Sequence, residues 1–150
     1  MKKQLLNPNG LFDPRFFTHT VAVSGPLKIV YVSGQVSYDR DGIVVGVGDF
    51  RAQCDQVFKS LTHNLKSAGA QWSDVIKVNG YMVDLNPVDV GIYREVRSRY
   101  FDRTVMPAST LVGVTRLVHD DLLLEVELVA AVADAPAKKP AAKKPAKKKR

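Results

Sequence analysis

The strongest periodicity in the chain begins at Asp49. Phe50, Cys54, Val57, Phe58, Leu61, Leu65 and Ala68 recur at three- and four-residue steps, the spacing that stacks side chains on one face of an α-helix. Asp49 is placed to cap this helix by accepting from its first free amides, and Gly69 is placed to stop it. Val75–Asp84 alternates as a strand, and Asn86-Pro87 opens a second helical stretch, roughly 87–101, that ends before Met106-Pro107. Upstream, Thr20–Gly25 and Lys28–Ser33 are rich in β-branched residues and flank Gly25-Pro26, which predicts a hairpin turning at 25–27. Downstream, Ser109–Leu117 and Leu122–Val132 read as two closing strands linked by the turn residues His119-Asp120-Asp121, and Val44–Val47 is a candidate extra strand.

The resulting order, ββ-α-β-α-ββ, predicts an α+β domain with a single sheet and two helices, enough to cover one face only. In the last strand Leu122, Leu124, Val126 and Leu128 share one face, while Leu123, Glu125, Glu127 and Val129 share the other. The first set suits the helix-covered core. Leu123 and Val129 remain on the opposite side, and in the preceding strand Leu111 and Leu117 share a face with Ser109 and Gly113. Apolar residues on both faces call for a second covering layer. Another subunit is the expected cover, which makes the protein a homo-oligomer with clefts at its subunit boundaries.

Composition fits this picture, with 45% hydrophobic and 25% charged residues in 150. The formal charge of +7 changes it only locally. Lys138, Lys139, Lys143, Lys144, Lys147, Lys148, Lys149 and Arg150, offset by Asp134, account for all of it, so residues 1–133 are neutral overall. The segment 134–150 is built from Ala, Lys and Pro and is expected to be a disordered tail behind a 1–133 domain. Its lysines suit salt-sensitive, sequence-independent contact with nucleic acid, or serve only solubility. No apolar run reaches the roughly 20 residues of a membrane span, and no secretory leader is evident at the start, so a cytoplasmic location is expected. A single cysteine excludes an intramolecular disulfide, and Cys54 has no partner at zinc-ligand spacing.

A set of short motifs spread over residues 7–132 resembles the Rid family, the reactive intermediate deaminases also called YjgF or L-PSP proteins. They include Thr18-His19-Thr20-Val21, Val32-Ser33-Gly34-Gln35-Val36, Gln53, Asn64-Leu65, Gly69-Ala70 and Asp74-Val75. Val83-Asp84-Leu85-Asn86, Tyr93, Met106-Pro107-Ala108 and Leu124-Glu125-Val126-Glu127 complete the set. The resemblance implies a chorismate-mutase-like α+β fold, a mixed sheet with two helices on one face, and a homotrimer with three inter-subunit clefts. It also implies hydrolysis of enamines or imines such as 2-aminoacrylate, releasing ammonia and a 2-keto acid with no cofactor. Glu125 is the retained candidate to hold the attacking water, and Phe17, His19, Ser33, Gly34, Ser109 and Thr110 are the candidate substrate contacts.

Three positions depart from the pattern. Family archetypes carry an arginine directly after Pro-Ala to clamp the substrate carboxylate; here it is Ser109, which has one hydroxyl and no charge. The tyrosine near the cleft mouth is Phe17, and an asparagine three residues before Tyr93 is Val90. These changes predict weak turnover of 2-aminoacrylate and a less anionic ligand. A basic residue of a neighbouring chain, such as Arg15, Arg103 or Arg116, is one way to replace the lost charge.

Several residues have plainer readings. Glu125 and Glu127 lie about 7 Å apart on one strand face, where a carboxylate pair can divide acid and base roles or simply face solvent; Glu127 is read as structural. Cys54 and His63 are nine residues apart, about 900° along a helix, so they cannot pair, and Cys54 reads as a core residue. His19 is a cleft ligand or an interface hydrogen bonder, His119 a turn residue, and Trp72 a cap on the core edge. Glycines 42, 46 and 48 do not form a phosphate-binding loop, and no constellation for RNA cleavage stands out. Two functions follow: an imine or enamine deaminase using Glu125, or a non-enzymatic trimeric small-molecule binder or regulatory protein whose tails contact nucleic acid.

Overall fold

A computed structural model describes residues 1–134; the basic tail expected at 134–150, with Lys138 through Arg150, falls beyond Asp134 and so outside the described residues. The elements are β1 (Lys2–Leu6), β2 (Thr20–Ser24), β3 (Leu27–Gln35), α1 (Phe50–Ser67), β4 (Val75–Val83), α2 (Pro87–Arg97), β5 (Ala108–Val114) and β6 (Leu124–Ala133). β3, β6, β4 and β5 form a sheet in that order, and β1 and β2 form a separate antiparallel pair. The sheet is mixed: β6 runs antiparallel to both β3 and β4, while β5 runs parallel to β4. Parallel neighbours need a crossover, and α2 supplies it between β4 and β5.

Both helices lie on one face, as an α+β mixed sheet with two helices requires. The Asp49 side chain accepts from the amide of Ala52 at 3.0 Å, and Gly69 leaves the helix with φ +67°, so α1 starts and stops at its sequence signals. Asn86 caps α2 through the amides of Val88 and Asp89. That helix ends at Arg97 rather than near 101 because its last turn tightens: the amides of Arg99 and Tyr100 bond three residues back, to Val96 and Arg97. Phe58, Leu61, Leu65, Val96, Val78 and Met82 meet Leu124, Val126 and Leu128 in a fully buried core. Their strand neighbours Glu125, Glu127 and Val129 are only half-buried on the other side.

Three local expectations are corrected. The 20–33 segment is not a hairpin: β2 pairs with β1, β3 pairs with β6, and Gly25, at φ +91°, turns the chain from one sheet to the other. β1 was hidden because its sequence, Lys-Lys-Gln-Leu-Leu, carries no β-branched residue. Val44–Val47 is not a strand; only Val44 bridges, to Tyr38. Leu111 does not face the bare side. It packs toward the core, with Cδ1 2.9 Å from where a Cβ on Gly80 would stand. The parallel register pairs Ser109 with Val78 and Leu111 with Gly80, on the helix-covered face. The bare face does carry apolar groups, but from other strands: Tyr31, 80% exposed, sits opposite Val129, beside exposed Ile29.

Candidate functional site

On the bare face, β3 and β6 build one half of the site. Their pairing slips between Val32 and Gln35, a bulge that falls at Ser33-Gly34. The Glu125 side chain lies across this bulge. A Cβ on Gly34 would overlap its carboxylate, with Cδ 2.7 Å and Cγ 2.9 Å away, so glycine is what lets the acid lie there. Glu125 makes no hydrogen bond or ion pair to any described residue. Glu127, two positions along, is committed: its Oε1 accepts from Asn79 Nδ2 at 2.7 Å and from the Tyr81 hydroxyl at 3.0 Å. That contact and burial raise the Tyr81 pKa. One carboxylate is thus free to take a proton while its neighbour is a structural acceptor. Thr110 is exposed on this same face and accepts from Lys77 Nζ at 2.7 Å.

Ser109 is on the other side of the sheet. It lines a cavity of about 150 Å³ with Phe16, Phe17, Tyr93, Arg94, Arg97 and Leu111. The segment before β2 reaches this wall because Thr18 is tied to the start of β5: its amide donates to Pro107 O at 3.0 Å and its hydroxyl to Met106 O at 2.6 Å. This contact gives the Thr18 and Met106-Pro107 motifs a physical reason. Within one chain, Glu125 and Ser109 therefore face opposite ways. A single cleft containing both requires two copies, one giving the bulge and Glu125 and the other the Ser109 wall.

The Ser109 wall is not short of positive charge, contrary to the expectation of a less anionic ligand. Arg94 and Arg97, which sequence reasoning passed over, line the cavity from the same chain. The signal was present in the spacing: Arg97 follows Tyr93 by four residues and so shares its core-facing side of α2. Of the arginines named from sequence, Arg15 and Arg103 line an adjoining cavity of about 210 Å³, together with Arg94 and Arg97. Arg116 is elsewhere, paired with Asp120. Val90 packs against the core.

The remaining candidates pack among aromatic and core side chains. His19 sits between Phe12 and Phe17, with ring centroids 5.1 and 5.3 Å away, and its Nε2 is 2.9 Å from Phe12 O. Cys54 is fully buried and burial pushes its thiol up to about 12, far from a nucleophile's range. Trp72 stacks on Phe58, packs at a tilt against Tyr100 and donates to Thr62. Among the described residues, no group of His, Cys, Asp or Glu is placed to hold a metal ion, and no helix is long and apolar enough to cross a membrane.

Comparison with known proteins agrees with this geometry. A family model described as Endoribonuclease L-PSP matches residues 17–132. The chain is 37% identical over 103 residues to a RutC family protein of Pyrococcus abyssi, covering 69% of this chain and 78% of that one. It is 33% identical to the 3-aminoacrylate deaminase RutC of Acinetobacter baylyi, over 88% of this chain and all of the relative. A crystal structure of a Rid family protein of unknown function from Yersinia pestis superposes with a TM-score of 0.77 at 30% identity, covering 88% of this chain and all of that one. With the two-helix mixed sheet, the bulge at Ser33-Gly34 and the acid beside it all in place, this chain belongs to the Rid (YjgF/L-PSP) family.

Proposed function

We propose that this protein is a cytoplasmic, homotrimeric deaminase that hydrolyses a small imine or enamine other than 2-aminoacrylate, with its attacking water held by Glu125. The observation that carries the reading is the Glu125 carboxylate, laid over Gly34 with no partner among the described residues while Glu127 is engaged. The name of the Acinetobacter baylyi relative, a 3-aminoacrylate deaminase, supports the reaction class.

The chemistry asks little of the protein. An imine carbon is already electrophilic, so the site must orient it, take one proton from water and return protons to nitrogen. As the water oxygen bonds to carbon, Glu125 accepts its proton and the C=N π pair moves to nitrogen. Glu125 returns that proton to the nitrogen, and transfer of the remaining hydroxyl proton to the same nitrogen, as the oxygen lone pair forms the C=O bond, breaks the C–N bond and leaves a carbonyl and ammonia. No electrons are transferred, and an enamine enters the same path after protonation at carbon. Ser109 cannot itself form the two-point ion pair of an arginine at that position, so 2-aminoacrylate is expected to turn over weakly.

The test is ammonia release from a panel of freshly generated imines and enamines, 2-aminoacrylate and 3-aminoacrylate included. The expected result is release from at least one member, weak release from 2-aminoacrylate, and loss of about 100-fold or more in Glu125→Gln. A flat response across the panel contradicts the reading and favours the non-enzymatic binder.

A further inference from the structure

Arg97 is the one arginine of the α2 wall that is enclosed, at 4% exposure. Its Nη1 donates to Phe16 O at 2.5 Å, and its guanidinium carbon lies 5.1 Å from the centre of the Phe101 ring. The other two nitrogens, Nε and Nη2, are buried with no hydrogen-bond partner among the described residues. Burying a cation with unfilled donors is costly. The two open donors are also a particular pair: Nε–H and Nη2–H project side by side from one edge of the plane, the fork that matches both oxygens of a carboxylate.

Among the described residues, no unpaired acid lines the two cavities that Arg97 borders. No acidic residue lines the Ser109 cavity. The adjoining cavity has one, Glu95, but its carboxylate is held by Arg51 at 2.6 Å and Arg99 at 2.9 Å. The two cavities share Phe16, Arg94 and Arg97. Phe16 is 37% exposed, and the centre of its ring lies 4.5 Å from the guanidinium carbon of Arg94.

We propose that Arg97, on α2, is the residue that grips the carboxylate of this protein's substrate, through its Nε–Nη2 edge and from the same cavity as Ser109. The proposal rests on the deaminase reading for its site and deepens it: the substrate is an imino or enamino carboxylic acid whose acid group lies toward α2 rather than against β5. Arg94 at the shared wall adds positive potential without competing for the same oxygens. Ser109, in place of a bulkier cation, leaves the room through which the ligand reaches α2.

Binding by the full chain, measured by calorimetric titration, tests this without turnover. The probes are pyruvate, its uncharged methyl ester and inorganic phosphate. Pyruvate is expected to bind at least about tenfold more tightly than the ester, as a charge-assisted two-point bond requires. Arg97→Met should bring the two within about twofold, whereas a merely structural role for Arg97 would weaken both together and keep their ratio. Should Arg97→Met not fold, Arg97→Lys carries the test, since it retains charge and loses the fork; its acid preference should fall in the same way. Equal binding of acid and ester by the wild-type chain, or no pyruvate binding, overturns the proposal, and tighter binding of phosphate overturns the carboxylate assignment. Acid-selective binding without ammonia release from any imine defeats only the deaminase reading. Ammonia release with no acid preference defeats only the role of Arg97.

Discussion

On the proposed mechanism, much of the chemistry rests on a single missing methyl group, at Gly34 beneath Glu125. The carboxylate occupies the volume a Cβ at position 34 would take. Gly34→Ala is therefore expected to swing Glu125 aside while leaving β3 paired with β6. Displacing a catalytic group by about 1 Å costs on the order of 100-fold, so ammonia release should fall by that order with an unchanged thermal midpoint. Retained activity in Gly34→Ala would show that Glu125 need not lie over the bulge. At this scale the sequence was informative about residue type and silent about direction. It offered Glu125, Ser33 and Ser109 together, yet only the sheet register reveals that Ser109 faces the helices and Glu125 does not. Arg97 was overlooked because a charged residue at a helix end reads as solvated, whereas the turn after α2 and Phe16 enclose it.

Among the elements, α1 and α2 were legible because period and caps agree, and their mutual fastening adds a pH-dependent brace. Glu95 of α2 accepts from Arg51 and Arg99, and these two guanidinium groups hold its carboxyl down to about 2. An acid whose pKa is depressed on folding adds stability above its unfolded value, near 4.5, and loses it as pH falls toward 2. Glu95→Gln should therefore lower the thermal midpoint slightly at pH 6 in low salt, with the gap to wild type closing between pH 4.5 and about 2. A gap that persists at pH 2 would assign the effect to packing. Gln53 is a second fastening, and it explains a family marker that the sequence showed without a reason. Fully buried on α1, it donates to Gly46 O and Asp121 O and accepts from the Leu123 amide at 2.8 Å, tying two loops to the helix. Gln53→Ala should cost about 2–3 kcal/mol in urea unfolding; a loss below about 0.5 kcal/mol would mean water replaces it freely. The early hairpin was misread because β-branched runs around Gly-Pro mark a turn without saying which strand pairs with which.

For the whole molecule, the bare sheet face and the split site point to the same assembly. Tyr31 and Val129 meet on that face without cover from the described residues of their own chain, and Glu125 opens on it. Light scattering is expected to give three times the chain mass of 16.5 kDa. Val129→Asp, which places an unpaired charge there, should shift the protein to one chain mass; a variant that stays trimeric would move the interface elsewhere. The expectation of a partner came from the sequence, since two helices cannot cover two faces, although the exposed apolar residues on the bare face lie on β3 and β6 and Leu111 is not among them. The most direct test of the two-copy site is subunit mixing. Glu125→Gln destroys the acid half, and Ser109→Trp fills the cavity of the other half. Each protein alone should release no ammonia, while trimers refolded from an equal mixture should recover about a quarter of wild-type activity, because one interface in four receives both intact halves. A mixture as inactive as its parents would contradict the account, placing Glu125 and the Ser109 wall at separate sites.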